Sequence, residues 1–245
     1  MDTGRDRTSG TRVLAELEVW HSRPFTPTRR VSLGALVLPT DPAPGLGGVL
    51  LAAIVATHLA DVDPELVPDV HRLLAQVERD ERIVQPRLRH RFQADRHALA
   101  RSTHRLLGER DEVRFDVAAQ GAPLAQVLGA IYALERLEVG SRRPLGDALR
   151  RGMRWRGPLD AGFAAYAAGA GGGAAGSVAS LTDPRAWALE VLGFPAGTVR
   201  PSKREVQARF RHRLRDVHPD HGGDTGAASR AIEDLGEARR VLLSS

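Results

Sequence analysis

Two apolar stripes separated by a proline restrict the C-terminal segment to a pair of amphipathic helices joined by a short loop. Val206, Phe210, Leu214 and Val217 recur at steps of four, four and three, which places them on one helix face. Pro219 disfavours helical backbone at His218 and removes an amide donor, so this helix must stop at His218-Pro219-Asp220. Gly222 and Gly223 then let the chain reverse, and Asp224 can cap a second helix. Ile232, Leu235, Ala238 and Val241 or Leu242 share one face of that helix, so the two can lie antiparallel with the tripeptide exposed at the turn. A shorter apolar element, WALEVLGF at 187–194, ends in Gly193 as a C-cap and closes the third side. The expected core is Leu189, Leu192, Val206, Phe210, Leu214, Ile232, Leu235 and Leu242.

LEVLGF at 189–194, EVQARFRHRLRDVHPD at 205–220 and the following HPDHGG and IEDLGEARRVLL together resemble the J-domain, the module that defines DnaJ-type co-chaperones. Three positions depart from the pattern. The chain stops at Ser245, where the family usually continues into a fourth helix, so that helix is expected to be missing. Arg213 stands where the family generally has an apolar residue and is expected to snorkel outward. Phe210 replaces a frequent tyrosine, keeping its packing and losing the hydroxyl.

The resemblance implies activation in trans. J-domains dock on the ATP-bound state of DnaK-type heat-shock chaperones and stimulate their ATP hydrolysis. Here the contact would be made by His218, Pro219 and Asp220, with Asp220 pairing with a cation on the partner and His218 fixing the loop or making a short polar contact. Opposite the apolar stripe lie Arg204, Arg211, His212 and Arg215, a basic face suited to steering onto an acidic partner, or in the plainer reading a solvated face. His218, Asp220, His221 and Asp224 are also potential metal ligands, but a metal site needs a supporting shell that a glycine-containing loop does not supply. No serine, histidine and carboxylate set can be assembled from the motifs, so the expectation is an activator of a partner ATPase, with no catalytic residue, cofactor or metal of its own.

Net charge is +5 with a pI near 10.7, which hints at an anionic partner. The hint is discounted, because Lys203 is the only lysine, asparagine is absent and arginine abounds, the pattern of a GC-rich genome. The absence of cysteine excludes disulfides, thiolate zinc sites and the cysteine-rich zinc module of larger DnaJ-type proteins. MDTGRDRTSG at the start has no apolar segment, and the run from Leu46 to Ala60 is too short to cross a bilayer, so a cytoplasmic protein without membrane contact is expected.

Residues 167–180, AAGAGGGAAGSVAS, cannot hold a unique packed structure and read as a tether. Gly171, Gly173 and Gly176 match GxGxxG, but no strand feeds them, so no dinucleotide site is read there. The expected organisation is a disordered tail at 1–11, an α+β domain at 12–166, a linker at 167–182 and a J-domain at 183–245, mainly α overall. Within the N-terminal part, strands are expected at 14–20, 30–38 and 113–117, and helices at 46–60, 64–79, 122–137 and 143–155. The period over 83–107 is ambiguous. On a helix His90, His97 and His104 would align, too far apart to chelate one metal ion, and with Arg87, Arg89, Arg91, Arg96, Arg101 and Arg105 they could form an anion-binding face. Arg150, Arg151, Arg154 and Arg156 surround Trp155, which is expected to pack into the domain. Two functions follow: a co-chaperone whose N-terminal domain selects a client protein or a location, or a nucleic-acid or anion-binding protein with an accessory J-like hairpin.

Overall fold

The computed structural model describes residues 11–23, 29–81, 88, 90–109, 112–169, 177–195, 197–217 and 225–244. Strands β1 (Arg12–His21), β2 (Arg29–Val37) and β5 (Glu112–Asp116) fall where alternating patterns placed them. The ambiguous segment supplies two further strands, β3 (His90–Phe92) and β4 (Ala100–Glu109). The sheet order is β3-β2-β1-β4-β5, antiparallel throughout except for β2 with β3. β4 alternates inward Ser102, His104 and Leu106 with outward Arg101, Thr103 and Arg105. Its inward positions are partly polar, which is why hydropathy alone could not assign its period. His90 and His104 therefore lie on different strands and His97 in the turn between them, so the helical histidine stripe does not exist.

Behind the sheet come α1 (Gly45–His58), α2 (Val67–Glu78), α3 (Pro123–Glu135), α4 (Val139–Arg154) and α5 (Ala161–Ala168). α1 is apolar on all sides because it lies between the sheet and α4, with no face left for water. α4 approaches it closely at Gly152, where a Cβ would come within 2.3 Å of the Ala52 carbonyl. Trp155, just past α4, packs edge-on to the fully buried Phe163 and donates from Nε1 to the Pro158 carbonyl at 3.0 Å.

The C-terminal part comprises α6 (Val178–Thr182), α7 (Pro184–Val191), α8 (Lys203–Asp216) and α9 (Thr225–Ser244). α5 and α6 reach into residues 167–182, read as linker: Ser177 caps α6, and Leu181 is buried in the core of the sheet unit. Residues 170–176, with the GxGxxG match, lie outside the described residues.

Over the whole chain the class is α+β, not mainly α with an appended helical hairpin. Among the described residues nine α-helices accompany a five-stranded mixed sheet. The mainly-α expectation failed because two of the five strands came from the segment whose inward polar residues hid its alternation.

Candidate partner-binding face

α8 starts at a capping box. Glu205 N–H donates to the Ser202 hydroxyl at 3.3 Å, and the Ser202 amide and hydroxyl donate back to the Glu205 carboxylate at 2.8 and 2.7 Å. Those bonds from the Ser202 hydroxyl and amide hold the Glu205 carboxyl below its usual range. The Ser-x-x-Glu spacing at 202–205 was legible in the sequence and was missed. At the far end α8 stops at Asp216, with Val217 as its C-cap, as Pro219 requires.

The apolar stripe of α8 faces α7 and α9. Val206 is fully buried, while Phe210 and Val217 pack half-buried against the same cluster. Leu214 is half-buried, and Ile232 is exposed. The centre of the cluster is instead Trp187, Ala188, Leu192, Val206, Leu235, Ala238 and Leu242, joined by Ala165 of α5. Among the described residues of α9, the buried ones lie from Leu235 onward. α7 closes as the sequence indicates. Gly193 takes φ +68°, its N–H reaches the Glu190 carbonyl and that of Phe194 reaches Leu189, both at 2.8 Å.

Arg204, Arg211, His212 and Arg215 are all exposed on the remaining surface of α8, so the structure brings them onto one face. His212 pairs through Nδ1 with Asp216 at 3.1 Å. Arg211 and Arg215 run back along the helix, each donating from Nε to the carbonyl one turn earlier at 3.3 Å. Among the described residues no carboxylate pairs with Arg204, Arg211 or Arg215. Their charge is therefore available to an external anion. Arg213 is exposed as expected, with its guanidinium over Gly193. His218, Pro219 and Asp220, and the potential ligands His221 and Asp224, lie outside the described residues.

The arginines of the sheet unit are differently placed. Arg101 and Arg105 pair with Glu18 and Glu16 at 3.2 and 2.6 Å, and Arg96 sits over the Trp20 ring. Arg150 forks onto Glu78, and Arg151 donates twice to the Ala167 carbonyl. These guanidiniums satisfy groups of the chain itself. Arg87 and Arg89 lie outside the described residues.

One polar assembly escaped sequence reasoning altogether. His21 Nε2 lies 3.0 Å from Ser102 Oγ, and Gln126 donates from Nε2 to Ser102 Oγ and the Gln120 carbonyl at 3.0 and 3.1 Å. Gln126 Oε1 then accepts from His104 Nε2 at 2.9 Å. A serine and a histidine at hydrogen-bond distance suggest a nucleophile, but Ser102 is 3% exposed, His21 is 5% exposed, and Gly121 closes over the imidazole. No substrate carbonyl can reach Oγ. The assembly joins the sheet to α3 and holds buried polar groups in hydrogen bonds. Among the described residues no group of three or more histidine or carboxylate side chains could hold a metal ion, and no helix is long and apolar enough to cross a membrane.

No protein-family model, curated protein or solved structure matches this chain, so its functional reading rests on the residues and geometry of the C-terminal helices.

Proposed function

We propose that residues 183–245 act as the J-domain of a co-chaperone, docking on a DnaK-type heat-shock chaperone and stimulating its ATP hydrolysis, while the sheet unit selects a client protein or a location. The observation that carries this reading is the continuity of α8. An exposed basic face, unpaired with any described carboxylate at Arg204, Arg211 and Arg215, leads directly into His218-Pro219-Asp220. The opposite face is anchored on α7 and α9 by Val206 and Phe210. Such a helix presents positive charge on a supported surface, the arrangement that speeds encounter with an acidic partner. A cytoplasmic protein fits this role.

The test is single-turnover ATP hydrolysis by the cognate DnaK-type protein with and without the full chain. Stimulation is expected, and Asp220→Asn or His218→Gln should abolish it. Stimulation by either variant at the parent level would overturn the reading. Replacing Arg211 and Arg215 together by glutamate should weaken docking by about tenfold or more at low salt and by much less at high salt, because exposed charges act within a Debye length of about 10 Å at 0.1 M. Titrating the partner at two ionic strengths reads this directly; equal affinities for parent and variant at low salt would make the face a bystander.

A further inference from the structure

Beside the basic face, α8 borders a groove of about 740 Å³ whose other wall is formed by Phe194, Pro195 and residues 198–201. Bonds from α7, from within the loop and to the residue before it hold this segment. Arg185 donates from Nε and Nη2 to the Val199 carbonyl at 3.1 and 2.7 Å, Thr198 donates from its hydroxyl to the Pro195 carbonyl at 2.7 Å, and Arg209 donates to the Gly193 carbonyl at 2.6 Å. These bonds fix the backbone and leave the Val199 side chain in water, 73% exposed, the most exposed large apolar residue among those described. An apolar side chain held outward on a braced loop is preorganised for contact, since little ordering remains to be done on binding.

The charges around it are mostly positive. Arg200, Arg209 and Arg213 line the groove with His212 at its border. Arg209 lies over the Phe194 ring and Arg213 over Gly193. The one carboxylate in the lining, Glu205, is engaged by Ser202. Apolar wall and floor therefore come from Val199, Phe194 and Ala208, and the rim is cationic.

We propose that this groove docks an acidic peptide segment of a protein partner, with one apolar side chain of that segment seated against Val199 and Ala208 and its carboxylates on Arg200 and Arg213. The cationic rim is complementary to such a segment, and the volume admits a short stretch of chain rather than a single side chain. The site adjoins the Arg204, Arg211 and Arg215 face and shares His212 with it, but its contacts at Val199, Arg200 and Arg213 lie outside that face, so it stands whether or not that partner is a heat-shock chaperone.

The experiment is fluorescence anisotropy of a short fluorescein-labelled peptide alternating glutamate and leucine, titrated with the full chain. Controls are the same peptide with leucine replaced by serine, the same with glutamate replaced by glutamine, and a single-stranded oligonucleotide of equal charge. Val199→Asp and Arg200→Glu should each weaken the glutamate-leucine peptide about tenfold, a loss of about 1.4 kcal/mol. Both residues are exposed, so the thermal melt should stay at the parent position. Arg204→Glu should leave peptide affinity within about twofold. The proposal is overturned if either groove variant binds as the parent does, if Arg204→Glu has the larger effect, if the serine control binds as tightly, or if the oligonucleotide binds more tightly with the same dependence on Val199 and Arg200. Because ATP hydrolysis is not read here, failure of the groove and failure of the chaperone reading are distinguishable.

Discussion

Acidification from about pH 7.5 to about pH 5 is expected to destabilise the sheet unit by about 2 kcal/mol or more, through histidines buried in the neutral form. His104 is fully buried on β4, and burial pushes its imidazole down to about 4, further lowered by His58 and His21 and only partly opposed by the Gln126 bond and Asp116. The hydrogen bonds explain why. Gln126 uses its amide N–H groups on Ser102 and Gln120, so its oxygen accepts from His104 Nε2, and an added proton would sit on Nδ1, which has no partner. His58 Nε2 is in the same position, its ring edge-on to His104 with centroids 6.0 Å apart. Burial also lowers His21 and His58, and lowers His90 together with the charge of Arg29; the carbonyls of Ser22, Ala118 and Leu88, with Asp61 beside His58, oppose it.

The sign follows from linkage. A base whose folded pKa lies below its unfolded value of 6.5 binds its proton preferentially in the unfolded chain. Its contribution is intact above pH 6.5 and is lost as the pH falls toward the folded value. For His104 that loss is about 2 kcal/mol at pH 5 and approaches roughly 3 kcal/mol below pH 4. Urea melts at a series of pH values should show the slope, and His104→Gln should flatten it between pH 6.5 and 4. A midpoint independent of pH across that window would mean that the cluster is solvated in the native protein.

Trp187→Ala is expected to unfold α7, α8 and α9. The indole is 8% exposed at the centre of the only buried cluster described for these helices, and removing a buried aromatic costs about 3–5 kcal/mol. A small three-helix core has little margin beyond that. Phe210→Ala should cost about half as much, because the ring is half-buried, with Arg239 stacked over it at 4.5 Å to the centroid. Hydrogen exchange should show loss of protection over 184–244 in Trp187→Ala while β1, β4 and α1 stay protected. A larger effect from Phe210→Ala, or a melt of the full chain that moves as one transition, would contradict this division. The two parts meet at Ala165 of α5, which is buried with Trp187, and at Leu181 of α6, which is buried in the sheet-unit core.

Local signals in the chain settled local matters. The three-four spacing of Val206, Phe210 and Val217 sets the inward face of α8, Pro219 sets its end, and Gly193 sets the end of α7, because each acts through backbone geometry or periodicity within a few residues. The same spacing put Arg204, Arg211, His212 and Arg215 on one exposed face before any contact was known. What a residue meets across the fold was not legible. Ile232 fits the stripe yet is exposed, whereas Trp187, two positions before the first residue of the expected core, anchors the cluster. Ser102 and His104 read as polar and hid a strand, although pairing of β4 with β1 and the cover of α1 and α3 place them in the interior, where His21 and Gln126 bond Ser102 and Gln126 bonds His104 Nε2. Periodicity records which face turns inward; only the packed partners decide how deep that face lies and which charges it leaves free.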